Sequence, residues 1–311
     1  MNRRSPLAKR AKPVRNAELA DVTLTNPDKL LWPEEGITKR DYLAYLFAVA
    51  KPLLAYTRNR ALTVIRYPDG VHGESFYQKN APSYAPPWIP RRQVGDVDAI
   101  LLNDLRTLLW LGNQAALEFH VPFHEVDDPD HPLELTFDLD PSVPGFAAVV
   151  ETALRLKEVT DRLGLPTYVK TSGATGLAVY IPLERRYTYA ETRQVAAFLA
   201  RYLAERYPRL VTVARRVRDR GTKVYVDYLQ HGKSRTLPAP YSPRGRTEAT
   251  VSAPVTWEEL ARGAQPADFT IKTVPARLSQ IGDPFAPVTA SANRANLDEI
   301  LDFLKRQPLS R

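Results

Sequence analysis

Two aspartates two positions apart, Asp138 and Asp140, stand out among the residues of this chain that could do chemistry. They lie in LELTFDLDP, residues 133–141, where Leu133, Leu135, Phe137 and Leu139 alternate with Glu134, Thr136, Asp138 and Asp140. That period-2 pattern predicts a half-buried strand whose alternate side chains share a face. The two carboxylates then stand roughly 7 Å apart at the backbone. At that spacing they can chelate divalent cations between them, and they repel one another when nothing neutralises them. The same residues also fit a strand running out into a turn at Asp140-Pro141, and the spacing by itself does not choose. A second alternating stretch, 223–229, puts Tyr225, Asp227 and Leu229 on one face and Val224, Val226 and Tyr228 on the other. If that strand joins the same sheet, Asp227 becomes a third carboxylate, and three acids around one or two hard cations suit two-metal phosphoryl transfer.

The elements that must position these groups follow from hydrophobic period and turn residues. The order is strand 133–139, helix 146–163 ended by Gly164, strand 167–171, a turn at 172–176, strand 177–182, helix 189–207, then strands near 209–215 and 223–229. This β-α-β-β-α-β order is that of split βαβ modules. The expected fold class is therefore α+β, with a ferredoxin-like, RNA-recognition-like core over about residues 130–250 and an N-terminal α/β elaboration. In that elaboration Thr38 can cap a helix to about Thr57, with Tyr42, Tyr45, Leu46, Val49 and Leu53 as its apolar stripe. Residues 61–67 read as a strand, 70–90 as an aromatic, proline-rich loop, and 101–111 as a helix. Short helices are expected at 257–262 and 297–306. Residues 1–20 read as a flexible basic tail and 21–311 as a single domain.

Composition narrows the function. The chain has 311 residues, net charge +8 and no cysteine. Disulfides and thiolate metal sites are thereby excluded, and a cytoplasmic, nucleoid-associated location is expected. No run approaches the roughly 20 apolar residues of a membrane span, and the basic N-terminus lacks the apolar core of a secretory signal. The 27 prolines, single methionine and Arg-heavy basic set lean toward a thermophilic source. Twelve Lys/Arg against three acids lie between Arg201 and Arg246, and six Lys/Arg with no acid lie in the first sixteen residues. Basic segments on an otherwise acidic body point to a polyanion partner. His120, His124 and His131 resemble a zinc set, but Pro122 breaks any helix that would align the first two, and no cysteine completes it.

Eight segments carry a family resemblance: LTNPDKLLWPEEGITK, RYPDG, ESFYQKNAPSYAPPW, LGNQAALEFHVP, LTFDLDP, VKTSGATGL, KVYVDYLQ and TLPAPYSPRGR…VSAPVTWEEL, together spanning roughly residues 22–260. In this content and order the chain resembles the polymerase domain of bacterial ligase D, a member of the archaeo-eukaryotic primase superfamily. The resemblance implies a catalytic core of the archaeo-eukaryotic primase type. It implies that Asp138, Asp140 and Asp227 hold two divalent ions, Mn²⁺ or Mg²⁺, with Asp227 on the side of a primer 3′-hydroxyl. It places His120, Ser172, Arg220, Arg235 and Arg244 around a nucleotide triphosphate. Arginine suits that role because its planar fork grips phosphate oxygens bidentately, and the small residues at 172–176 let backbone N–H groups approach an anion. Lys29 and Lys39 fall where the family holds a DNA 5′-phosphate, and Phe76 and Tyr77 where it packs an aromatic pair against DNA at a gap. Strand alternation expects one of that pair to be core.

The implied activity is template-dependent extension of a DNA 3′-end across a short gap or an aligned double-strand break. NTPs are preferred to dNTPs, within end joining alongside Ku. The chain lacks an adenylating Lys-x-Asp-Gly motif, so a ligase would be a separate protein. Two positions depart from the family's turn, which commonly reads Ser-Gly-Ser-Lys-Gly-Leu-His: here Thr175 and Ala178 replace the Lys and the His. Weaker nucleotide binding, or compensation by Arg235 or Lys233, is expected. A primase that starts chains de novo is the same-class alternative, and a weakly catalytic DNA-end-binding scaffold is another. A metal-dependent nuclease fits the acids alone but leaves the Arg-rich pocket unexplained.

Overall fold

An alternating strand needs cover on its apolar side, and helices provide it. The computed structural model of the chain describes residues 22–306, so the expected tail at 1–20 lies outside the described residues. In chain order the N-terminal region contains β1 (Leu30–Trp32), β2 (Ile37–Thr38), α1 (Lys39–Thr57), β3 (Thr63–Arg66), β4 (Phe76–Gln78), β5 (Arg91–Val94), β6 (Val97–Ile100), α2 (Leu105–Asn113) and β7 (Ala116–Val121). The core follows as β8 (Glu134–Pro141), α3 (Ala147–Arg162), β9 (Tyr168–Thr171), β10 (Leu177–Pro182), α4 (Tyr189–Arg206), β11 (Val211–Thr212) and β12 (Val224–Asp227). The chain continues through β13 (Leu237–Pro238), β14 (Pro254–Val255), α5 (Trp257–Ala261), α6 (Val274–Ile281), α7 (Ala286–Thr289) and α8 (Asp298–Arg306).

Helix starts are set by side chains that satisfy orphan N–H groups. Thr38 and Asp41 form a reciprocal capping box on α1, and Thr188 and Glu191 do the same on α4. Asp104 caps α2 by accepting from Thr107 N, which is why that helix begins at Leu105 rather than at 101. The main sheet runs β11-β12-β8-β10-β9-β14. Its central four strands have the ferredoxin-like order, each antiparallel to its neighbours, and β11 adds on parallel to β12. Leu135, Phe137 and Leu139 are fully buried on the side covered by α3 and α4. A second sheet, β13-β7-β3-β4, brings β7 and its histidine beside the polar face of the first.

One expectation fails in the stretch 70–90. It is not all loop, because Phe76–Gln78 pairs with β3 as an edge strand, Ile65 opposite Tyr77. Two aromatic residues of high β propensity and a glutamine among prolines are too short a run for alternation to reveal. Among the described residues no helix is long and apolar enough to cross a membrane.

Candidate active site

The antiparallel registers place one residue from each of five strands in a row. Asp227 of β12 faces Asp138 of β8, Asp138 faces Ala178 of β10, Ala178 faces Lys170 of β9, and Lys170 faces Pro254 of β14. Asp140 is one pleat further along β8, opposite Tyr225. The three aspartates thus share one face, and Asp227 lies directly beside the pair rather than merely within reach of it. A cleft of about 350 Å³ opens over this face, walled by Tyr77, His120, Asp138, Asp140, Lys170 and Arg244. Asp227 stands on the side of Asp138 away from Lys170, and its Oδ1 accepts the N–H groups of Leu229 and Gln230 at 3.0 and 3.1 Å.

The acids are poorly compensated. Burial, then the charge of Asp140, pushes the Asp138 carboxyl up to about 7, against the opposing pull of Lys170. Burial and Asp227 also raise Asp140, opposed by Arg220. Lys170 is 1% exposed, and its Nζ donates to Ser252 Oγ at 2.7 Å; burial lowers its pKa while Asp138 resists. Repelling carboxylates with hard oxygen donors and no thiolate beside them fit Mn²⁺ or Mg²⁺. Among the described residues, however, no three His, Cys, Asp or Glu side chains already converge as a closed cage. Asp138 and Asp140 would be the principal ligands, and Asp227 must share a carboxylate that its own turn already uses.

Arg244 joins the two sheets over the cleft. Its Nη1 donates to Ser172 O at 2.7 Å, and its Nε lies 2.9 Å from Glu118 Oε2 on β7 as an ion pair. The turn at 172–176 is built to admit it. Gly173 has φ +69°, and a Cβ there would lie 2.6 Å from Arg244 Cγ. A Cβ on Gly176 would lie 2.4 Å from Leu139 O, so the turn can sit against β8 only without one. Ser172 Oγ accepts from Ala174 N and Gly176 N, which fixes the turn. His120 Nε2 is 2.9 Å from Glu118 Oε2, and burial lowers the pKa of its imidazole while Glu118 raises it.

Other expected residues fall differently. Arg220 does not line the cleft: its guanidinium donates to Ala214 O and Arg215 O and lies 3.7 Å over the Tyr225 ring, flanking Asp140. Arg235 is exposed outside the cleft walls, and Lys233 pairs with Asp130 at 2.6 Å, so neither replaces the missing lysine at 175. Among the described residues the cations that line the cleft are Arg244 and Lys170, and the sequence alone does not single out Lys170. Phe76 and Tyr77 are 44% and 71% exposed, so neither is core. On an edge strand with no layer over either face, alternation does not imply burial. Arg66 lies 5.3 Å over the Phe76 ring. Lys39 Nζ donates to Asn113 O while Lys29 pairs with Asp69, and burial, then the charge of Lys29, lowers Lys39. The two lysines are thus electrostatic neighbours. His124 and His131 contact Tyr189 and Asp128, away from the cleft.

A ferredoxin-like sheet with carboxylates on its first and last strands, facing a cleft lined by Arg and Lys, has the makings of a nucleotidyltransferase. The chain belongs to the LigD primase-polymerase domain family, whose model matches residues 38–285. It is 41% identical over 288 residues to the bifunctional non-homologous end joining protein LigD of Bacillus subtilis, covering 92% of this chain and 47% of that protein. It is 35% identical over 278 residues to the multifunctional LigD of Mycolicibacterium smegmatis, covering 87% of this chain and 36% of that protein. The chain therefore spans half or less of the length of these relatives. Among solved structures it resembles the polymerase domain of Mycobacterium tuberculosis ligase D in complex with DNA. There the TM-score is 0.81 and the identity 35%, covering 87% of this chain and 98% of that one. The superfamily expectation for fold and enzyme class is thereby met.

Proposed function

We propose that the chain extends a DNA 3′-end across a short gap or an aligned break by template-directed addition of nucleotides, NTPs before dNTPs. The observation that carries this is the cleft that Asp138 and Asp140 share with Lys170 and Arg244, an acidic wall and a cationic wall, with Asp227 beside Asp138 on the neighbouring strand and outside the cleft lining. Asp138 and Asp140, with Asp227 beside them, would hold two Mn²⁺ or Mg²⁺ ions, whose chemistry is to acidify a primer 3′-hydroxyl and neutralise leaving pyrophosphate. Arg244, His120 and the Ser172 turn bind and orient the triphosphate, with Arg244 as a planar donor to its oxygens. Arg220 contributes from outside the cleft, through the charge it places beside Asp140. Arg235 can contribute only from outside the cleft walls. Lys29 and Lys39 receive the 5′-phosphate of the far strand, and Phe76 and Tyr77 offer exposed rings to unpaired bases at the gap. The relatives' names place them in non-homologous end joining, and one solved relative holds DNA. Ku and a DNA ligase activity are the partners this reading implies.

Extension of a gapped duplex with Mn²⁺ tests it, comparing NTP with dNTP and substrates with and without the 5′-phosphate. Addition is expected to require Asp138 and to favour the phosphorylated gap, and Lys29→Ala should weaken that preference. Labelled dinucleotides formed on unprimed single strands would instead indicate a primase. Binding of the 5′-phosphate without any addition would indicate a scaffold.

A further inference from the structure

A buried carboxylate that the proposed chemistry does not use sits behind the cleft. Glu118 lies on β7 two residues before His120 and is 3% exposed. Four groups from three separate segments converge on it. His120 Nε2 and Arg244 Nε each lie 2.9 Å from Oε2, and Gly245 N–H and Tyr67 O–H donate to Oε1 at 2.9 and 3.3 Å. Gly245 is packed so tightly here that a Cβ would overlap the Tyr67 ring. The two cleft residues held this way, His120 and Arg244, come from the second sheet and from the segment between β13 and β14. Arg244 is held again from the main sheet through Ser172 O. Glu118 is therefore the point at which the triphosphate wall is fixed relative to the aspartates.

We infer that Glu118 is a positioning residue for the nucleotide: it holds the Arg244 guanidinium and the His120 ring in the orientation that meets a triphosphate. The physical argument is preorganisation. An arginine already fixed loses little side-chain entropy on binding, and its donors point where charge will arrive. Without the carboxylate, Arg244 becomes a largely buried cation with only a carbonyl to hold it, and His120 loses its one charged partner. The groups that contact Glu118 include two residues of the triphosphate wall and neither of the 5′-phosphate lysines, so its effect is expected on the nucleotide.

The inference rests on the polymerase reading, so its test includes a measurement that needs no catalysis. Affinity for a fluorescent ATP analogue in Mn²⁺, nucleotide KM and kcat on gapped DNA, affinity for 5′-phosphorylated gapped DNA, and melting temperature are compared for wild type, Glu118→Gln and Glu118→Ala. Glu118→Gln keeps the shape and removes the charge. It should weaken the analogue and raise KM by about tenfold or more, the loss of one charge-assisted contact. kcat should change less than KM, and DNA affinity should not change. Glu118→Ala should show the same split together with a lower melting temperature. Unchanged analogue affinity in Glu118→Gln would overturn the inference alone. So would a parallel loss of nucleotide affinity, DNA affinity and melting temperature, because that is what a purely structural role produces. If the wild type binds the analogue but adds no nucleotide, the polymerase reading fails and the binding comparison still decides Glu118. If the wild type binds no analogue, both are overturned.

Discussion

The two ends of one face of β8 treat negative charge in opposite ways. Glu134, at the start of the strand, is 1% exposed and fully countered: Arg60 donates from Nη1 and Nη2 at 2.6 and 3.1 Å, and the Tyr56 hydroxyl donates to the same carboxylate. Helix α1 and Phe285 close that end over Tyr180. Four and six residues on, Asp138 and Asp140 share the face but have no such fork. Lys170 is tied to Ser252, and Arg244 to Glu118 and Ser172. At the closed end the fold supplies a counter-charge and gains rigidity from it. At the open end it withholds one, leaving a potential that an incoming cation can satisfy. Sites that sacrifice local stability in this way are the ones expected to do chemistry.

The largest effects should separate the two ends cleanly. Asp138→Ala should reduce primer extension to background in Mn²⁺ at a smaller cost in melting temperature than Glu134→Ala, because it also removes a carboxylate repelled by Asp140, and Lys170 keeps Ser252 and can shed its proton. Glu134→Ala should act on the fold instead, costing about 3–5 kcal/mol in urea denaturation by stranding Arg60 in the interior. Nucleotide affinity in the fraction still folded should be kept. A marked loss of stability in Asp138→Ala would break the contrast, since the open end would then be structural as well.

The pH dependence of stability sharpens it. Asp138 is raised to about 7. Between about pH 4 and 7 the folded chain therefore binds more protons there than the unfolded chain, and this contribution to stability falls as pH rises. His124 and His231 behave oppositely: burial, then nearby arginines, lowers them to about 4 and about 3. Below about pH 6.5 the unfolded chain takes up those protons first, so their contribution falls as pH falls. Each proton is worth at most about 1.4 kcal/mol per pH unit, so the opposing slopes partly cancel in the wild type between about pH 5 and 6.5. Asp138→Asn removes one of them, and its stability should climb with pH more steeply across that window. Mn²⁺ should raise the melting temperature of the wild type more than that of the variant. Parallel curves without metal would show that the Asp138 proton is not held by the fold.

What the sequence revealed and what it hid follow from the same feature. Alternation reports that one side of a strand is buried, so strands 133–139, 167–171, 177–182 and 223–229, the helices that cover them and the shared face of Asp138, Asp140 and Asp227 were legible, whereas β7 (Ala116–Val121), the β5–β6 pair and β14 were not. It does not report whether the polar side meets water or another layer. Glu118 and Lys170 occupy polar positions of alternating strands, and only the approach of the two sheets makes those positions interior. A lysine or glutamate flanked by buried apolar residues in a short strand was the available signal, and it is shared by many solvated strands. Arg220 and Arg235 were placed by resemblance, which gives a residue's neighbourhood but not which carbonyls or solvent its long side chain meets. Glu134 could be read as one more polar position, but its partner Arg60 is 74 residues away and no local pattern joins them.

The smallest expected effect tests whether the open end can gain a cation without becoming a closed one. Thr175 is exposed on the cleft rim, in a turn already fixed by Ser172 Oγ, so Thr175→Lys disturbs no packing. Ala178 is a poorer place to restore the family pattern. It is 1% exposed between Asp138 and Lys170 on the cleft face, so an imidazole there would occupy the space over the acids themselves. A lysine at 175 would enter the cleft where the triphosphate is proposed to bind, as a solvated point charge worth about 1 kcal/mol or less. Nucleotide KM should fall by no more than about fivefold and the gain should shrink with added salt, because such charges are screened over about 10 Å at 0.1 M. The melting temperature and the Asp138-dependent slope with pH should stay as in the wild type. If Thr175→Lys instead raised the melting temperature and left KM unchanged, the new ammonium would be pairing with Asp138 or Asp140 as Arg60 pairs with Glu134. The two ends of the face would then differ only in whether a cation happens to be within reach.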